Sequence, residues 1–235
     1  MSLGTNRATM ATVLLVRHGE TDWNRDRLVQ GWEPVSLNER GREQARAVGG
    51  FLASAYEVDS VVASDLRRTR ETAALVGDSG LPRPVFDRDW RERGFGVLQG
   101  LDYGEVFGEH PEYDASSGNA DALEARPEEG ESLLDLRERV LRGWESVLER
   151  VGADGSSGSG GTAETDGDGT VLVVTHGGPI YVVLAFLEEV SLPTMFERER
   201  QANCAINEID VDFGTPGTDL DVEIVRRNDT SYREN

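Results

Sequence analysis

Thr12-Val13-Leu14-Leu15-Val16-Arg17-His18-Gly19-Glu20-Thr21 is the stretch on which the rest of the chain hangs. Four consecutive apolar residues run into an arginine, a histidine and a glycine. A short unbroken apolar run closed by glycine predicts a strand buried on both faces, as strands of a parallel sheet are. Ligands of open α/β sheets bind outside the carboxyl ends of the strands, which is where Arg17 and His18 then fall. The device returns at Val171-Leu172-Val173-Val174-Thr175-His176-Gly177-Gly178. The chain has three histidines, and two of them follow an apolar run at the same offset. If the two strands are parallel neighbours in register, their imidazoles meet at one edge of the sheet.

The segments between follow an alternating β and α pattern. Asp22 to Gly31 is polar and reads as a loop. Ser36 or Asn38 can cap a helix carrying Ala45, Val48, Leu52 and Ala55 on one stripe. Ser60 to Ser64 reads as a second buried strand, opening into a helix with Arg67, Arg68 and Arg70 in its first turn. Cations there oppose the helix dipole, so an anionic partner is implied for some of them. Pro84-Val85-Phe86 is a weak strand leading into the glycine-rich stretch Trp90 to Gly100, where Glu92 stands between Arg91 and Arg93. These two arginines are expected to favour its ionisation while burial opposes it. Residues 101–130 form a polar excursion over the strand ends, with short helical pieces. His110, with no apolar run before it, reads as an exposed loop histidine. Glu131 to Val151 is an amphipathic helix, and Ile180 to Val190 an apolar one with Pro179 in its first turn. Asn203 to Val211 and Asp221 to Arg226 read as closing strands. The expected organisation is a disordered lead-in over 1–11 and one catalytic domain over 12–228. A flexible Gly/Ser/Asp insertion is expected at 152–169 and a frayed tail at 229–235.

Composition narrows the function classes. There are 44 acidic residues against 24 basic ones, a formal net charge of -20, and every basic residue is arginine. Such a charge argues against nucleic-acid or anionic-membrane binding. An acidic, lysine-free surface suits a halophilic protein in a salty cytoplasm, because the Debye length shrinks to about 3 Å at 1 M salt. The single cysteine, Cys204, cannot form an internal disulfide and reads as a buried small residue. No apolar run approaches the roughly 20 residues of a membrane span. A cytoplasmic protein is expected, with its oligomeric state open and a homodimer one option.

The groups expected at strand ends are Arg17, His18, Asn24, Arg68, Glu92, His176 and the amides of Gly177 and Gly178. Arginine matches phosphate oxygens bidentately. A helix starting at Gly177 adds backbone donors and a positive dipole. A neutral imidazole can accept a phosphoryl group, and a carboxylic acid such as Glu92 can protonate the leaving oxygen. The rival reading has His18, His176 and a carboxylate holding zinc or iron. Arg17 opposes it, since a cation beside the ligands repels a metal.

These residues carry a resemblance. Arg17-His18-Gly19-Glu20-Thr21 with Trp23-Asn24 resembles the signature of the histidine phosphatase, or phosphoglycerate mutase-like, superfamily. Ser64-Asp65-Leu66-Arg67-Arg68 with Thr72-Ala73, Glu92-Arg93 with Gly96 to Gly100, and Thr175-His176-Gly177-Gly178 resemble its further motifs, in order. Together with Leu37 to Ala45 and Gly130-Glu131-Ser132, the resemblance spans about Val13 to Val211. It implies an α/β three-layer sandwich, with helices on both faces of a mostly parallel central sheet. It implies that His18 becomes phosphorylated, that Arg17, Asn24, Arg68 and His176 hold the phosphoryl group, and that Glu92 is the acid–base residue. No metal and no cofactor would be required.

The short 101–130 excursion and Asn203-Cys204-Ala205 resemble the phosphatase branch more than the mutase branch. Gln30-Gly31 fits the phosphatase branch as well, as a substrate contact. The arginine usual two residues before that glutamine is displaced to Arg27, with Leu28 in its place. The expected activity is hydrolysis of a small phosphorylated metabolite. A bisphosphoglycerate-dependent mutase and a non-catalytic phosphoprotein binder are the alternatives.

Overall fold

A computed structural model describes residues 10–117, 120–153, 169–198, 200–214 and 220–234. The opening stretch forms strand β1 (Met10–Arg17), which starts three residues before its apolar run and within the lead-in expected over 1–11. Strands β2 (Ser60–Ser64), β3 (Pro84–Asp87) and β4 (Gly169–Thr175) join it in a parallel group. Strands β5 (Ile206–Asp212) and β6 (Asp221–Asp229) extend the sheet antiparallel, giving the order β3-β2-β4-β1-β5-β6. The expected register holds: β1 and β4 are adjacent and parallel, with Arg17 opposite Thr175. His18 and His176 therefore leave the sheet side by side.

Alternation along β1 sends Val13 and Leu15 to one face and Leu14 and Val16 to the other, and each pair joins a separate apolar core. On the first face lie helices α5 (Leu133–Ala153) and α6 (Gly177–Leu187) and the short α7 (Leu192–Phe196). Leu133, Leu136, Val140, Trp144, Val147 and Val151 of α5 form the stripe expected from their spacing, and all are buried. On the second face lie α2 (Glu39–Ala55) and α3 (Arg67–Gly77), presenting Ala45, Val48 and Leu52, and Ala73 and Val76. The fold is the expected α/β sandwich of helices on both faces of a central sheet.

The loop after β1 is fixed by a close backbone approach. A Cβ on Gly19 would lie 2.4 Å from the Gly41 carbonyl oxygen, and one on Gly41 would lie 2.0 Å from that of Glu20. Only glycines let the first turn of α2 press on the chain leaving β1. Asn38 caps that helix by accepting the Gly41 N–H at 2.8 Å.

The structure departs from expectation at two places. Within the presumed loop, Asp22–Arg25 makes a one-turn helix (α1), with Thr21 as N-cap in a reciprocal capping box with Asn24. The excursion, by contrast, contains a short helix as expected, α4 (Tyr103–Glu109), capped by Asp102. The tail expected to fray is docked: β6 continues to Asp229 and a 3-10 turn follows over Ser231–Glu234. Its Tyr232 is buried against Phe51, with ring centroids 5.5 Å apart, and donates to the Cys204 carbonyl at 2.7 Å. An aromatic three residues from the terminus seals α2 against the sheet, which a polar local sequence does not advertise. Residues 1–9 of the expected lead-in and 154–168 of the expected insertion lie outside the described residues. Among the described residues, no helix is long and apolar enough to cross a membrane.

Candidate active site

One cavity of about 300 Å³ opens at the carboxyl ends of β1 and β4, lined by Arg17, His18, Asn24, Gln30, Arg68, Glu92 and Gly177 among others. Every residue singled out from the sequence as a site residue therefore lines it except His176, which is fully buried beside His18 with ring centroids 5.2 Å apart.

Two hydrogen bonds fix the state of His18. Its Nδ1 lies 2.7 Å from the Gly19 carbonyl, which can only accept, so Nδ1 carries the proton. The Nε–H of Arg68 points at Nε2 from 3.3 Å, so Nε2 presents its lone pair. Burial, reinforced by Arg68 and Arg17, holds the imidazolium form well below its ordinary range. His18 is thus a neutral imidazole among cations, its Nε2 unprotonated and accepting from Arg68, the form in which it is nucleophilic once that contact gives way.

The three arginines at the start of α3 divide as their geometry requires. Arg67 pairs with Glu71 at 3.0 Å, and Arg70 donates to the Asp65 carbonyl and covers the Phe86 ring. Only Arg68 turns inward, 1% exposed, with its Nη2 donating to the Gly31 carbonyl at 2.8 Å. Burial draws its guanidinium down to about 10, still charged at neutral pH. Arg17 donates from Nη1 to the Gln201 carbonyl, and its buried Nε has no partner. The Gln30 Oε1 is likewise buried without one. Asn24 accepts from Thr21 and from Asn203 through its carboxamide oxygen, which leaves its NH₂ as the donor end.

His176 is the N-cap of α6, so Gly177 and Gly178 are the first residues of a helix whose N–H groups face the site. Its Nε2 lies 2.9 Å from Ser64 Oγ at the end of β2, and its buried Nδ1 has no partner. Burial and the neighbouring Arg68 keep this ring neutral as well.

Glu92 reaches the same floor from the opposite wall. Its Oε1 accepts the Arg93 N–H at 2.9 Å and its Oε2 the Gly178 N–H at 3.2 Å. The flanking arginines direct their side-chain hydrogen bonds away from its carboxylate. Arg91 makes a bidentate pair with Asp65. Arg93 turns away and donates to the carbonyls of Glu131, Tyr113 and Ala125. The segment is held instead by Arg139 of α5, which donates to the Asp89, Arg91 and Glu92 carbonyls and to both carboxylate oxygens of Glu131.

Ser64, Asn203 and Arg139 are the residues that sequence reasoning left out of the site. Ser64 and Asn203 sit within motifs already noted, and Asn203 bonds the His18 carbonyl at 3.0 Å. Arg139 carries no local signal, being one of several arginines on an amphipathic helix. His110 pairs with Glu112 at 45% exposure and does not line the cavity, as expected. Cys204 is buried, and burial pushes its thiol up to about 12. Among the described residues, no three His, Cys, Asp or Glu side chains converge in a way that could hold a metal.

A sheet of this order with an Arg-His floor at its strand ends makes this an α/β protein whose site is suited to phosphoryl groups. The family model of the histidine phosphatase superfamily (branch 1) matches residues 13–220, and the chain belongs to that superfamily. It is 37% identical over 199 residues to phosphoglycerate mutase-like protein 4 of Arabidopsis thaliana, covering 84% of this chain and 78% of that protein. Among solved structures it resembles YhfR of Bacillus stearothermophilus, with TM-score 0.76 and 29% identity over 94% of this chain and 98% of the other. It also resembles a mycobacterial glucosyl-3-phosphoglycerate phosphatase, with TM-score 0.69 and 26% identity over 92% of this chain and 98% of the other.

Proposed function

We propose that the protein is a phosphomonoester hydrolase acting through a phosphorylated His18 on a small phosphorylated metabolite, with no metal or cofactor required. The observation that carries this is the double fixing of the His18 tautomer, with the Gly19 carbonyl on Nδ1 and Arg68 on Nε2. A histidine kept neutral in this way offers an unprotonated Nε2 to phosphorus once Arg68 turns from it to the phosphoryl oxygens.

In the first step Nε2 attacks phosphorus, the P–O ester bond breaks, and the Glu92 carboxyl gives its proton to the departing alkoxide. Arg17, Arg68, the Asn24 amide, His176 and the Gly177 N–H stabilise the charge that develops on the equatorial oxygens. Gln30, at the cavity wall, contacts the substrate. In the second step water attacks phosphorus, Glu92 takes the proton back, and the P–N bond breaks. Inorganic phosphate and neutral His18 result.

The experiment is transfer of labelled phosphate from a substrate ester to the protein. The wild type should acquire an acid-labile label and release phosphate, and His18→Ala should do neither. Hydrolysis that persists in His18→Ala would overturn the reading. A second reading, a bisphosphoglycerate-dependent mutase, is favoured by the name of the Arabidopsis relative. It predicts conversion of 3-phosphoglycerate to 2-phosphoglycerate, stimulated by 2,3-bisphosphoglycerate. We place the protein in the cytoplasm and among halophilic proteins on its lysine-free acidic composition. The same charge is unsuited to nucleic-acid or membrane partners.

A further inference from the structure

Beyond its phosphate-binding floor, the cavity has a second basic region. His18 and Arg68 are buried at 2% and 1%, whereas Arg27 and Arg200 line the same cavity yet are exposed, so they stand at its mouth. They flank one residue. The Tyr103 N–H donates to the Arg27 carbonyl at 2.8 Å, and the Arg200 guanidinium lies 4.6 Å over the Tyr103 ring. Arg27 adopts φ +58°, a left-handed conformation that costs a non-glycine residue about 1 kcal/mol. Strain of this kind gathers at ligand-binding positions.

Among the described residues neither guanidinium is paired with a carboxylate, although the chain holds 44 acidic residues for 24 arginines. Among the described residues, the two acids that line the cavity have other partners. Glu92 is held on the floor by backbone N–H groups, and Asp114 accepts from the N–H and hydroxyl of Ser116. The cavity lining also includes the apolar side chains of Trp23, Leu28 and Phe107. One phosphoryl group satisfies Arg17 and Arg68; it leaves Arg27 and Arg200 without a counter-charge.

Building on the hydrolase reading above, we propose that the mouth is a second anion subsite. The substrate is then a phosphomonoester whose leaving alcohol carries a further anionic group, a carboxylate or a second phosphate, held between Arg27 and Arg200. Trp23, Leu28 and Phe107 take the carbon skeleton that joins the two charges.

The test compares phosphate release from matched esters that differ only in that group. One short pair is glycerol 3-phosphate against 3-phosphoglycerate. One longer pair is 4-(hydroxymethyl)phenyl phosphate against 4-carboxyphenyl phosphate, with 1,4-phenylene bisphosphate as the phosphate-bearing arm. Charge-assisted contacts should raise kcat/KM for the anionic member of at least one comparison by about tenfold or more. Which arm responds tells carboxylate from phosphate. The ratio should collapse towards unity in the Arg27→Gln/Arg200→Gln variant and fall partway in Arg200→Gln alone, an exposed position where folding is not at stake. Ratios near unity in the wild type, or a preference that survives in the double variant, overturn the subsite while leaving the hydrolase reading intact. Failure of every ester to release phosphate overturns the hydrolase reading instead. The subsite is then judged by calorimetric binding of the same esters, where equal affinity for neutral and anionic members overturns it.

Discussion

Arg139→Leu tests whether the position of Glu92 depends on a residue that never touches the cavity. The Arg139 side chain is 9% exposed and pairs in bidentate fashion with Glu131, itself 15% exposed. Its remaining donors bond the carbonyls of Asp89, Arg91 and Glu92 at 3.0, 2.6 and 2.8 Å. Removing one partner of a buried ion pair costs about 3–5 kcal/mol, because the other charge stays behind uncompensated. Glu131 keeps slight access to water and the Gly94 N–H at 3.0 Å, so the lower end applies. At about 2–4 °C per kcal/mol for a chain of this size, the midpoint of thermal unfolding should fall by about 6–12 °C.

Catalysis should suffer separately. The Glu92 carbonyl keeps the Trp32 indole N–H at 2.7 Å but loses Arg139. The carboxylate should drift, and kcat on an alkyl phosphate should drop between about tenfold and a hundredfold. Calorimetry and phosphate release measure the two effects. Adding Glu131→Leu removes the orphaned charge and should recover about 2 kcal/mol relative to the sum of the single variants. A midpoint within about 2 °C of wild type, or strictly additive single and double variants, would refute the reasoning.

Three further outcomes follow from the site. Both His18 and His176 are held below their ordinary range by burial, so between about pH 6.5 and that lower value the unfolded chain binds protons that the native state does not. Their stability contribution is complete above about pH 6.5 and is lost as the pH falls, by up to about 1.4 kcal/mol per pH unit each; urea midpoints of His18→Gln should show a correspondingly shallower acid limb, and an unchanged slope would contradict this. A Cβ at position 178 would lie 2.1 Å from Glu92 Oε1, the movable end of a side chain. Gly178→Ala should therefore unfold within about 4 °C of wild type while its kcat falls about tenfold or more, and full activity would show that the Glu92 carboxylate need not sit where the structure puts it. With a net charge of -20, both stability and activity should rise from dilute buffer to about 1 M KCl as self-repulsion is screened, and a fall across that range would count against a halophilic protein.

Much of the site was legible before any fold was known, for a local reason. Apolar runs four residues long report burial of a strand, and the residue that follows such a run sits at the strand end whatever the rest of the chain does. His18, Arg17 and His176 are in that position, and the parallel β1–β4 pairing then brings them together. The amphipathic stripe of α5 and the cap at Asn38 are legible in the same way, because period and capping depend on neighbours within a few residues. The sequence also restricts the chemistry, since a lysine-free chain with clustered arginines and glycines at strand ends suits phosphate.

What only the tertiary structure decided are contacts between residues distant in the chain. Of three arginines at the start of α3, geometry selects Arg68, because Glu71 and the Asp65 carbonyl engage the other two. The sequence places Arg91 and Arg93 beside Glu92, yet the fold directs them elsewhere and brings Arg139 from 47 positions away to the Glu92 carbonyl. Tyr232 seals a core whose other members lie far up the chain, and Arg200 meets Tyr103 at the cavity mouth. A side chain's direction depends on which backbone carbonyls and carboxylates surround it after folding, and a linear pattern carries no record of them.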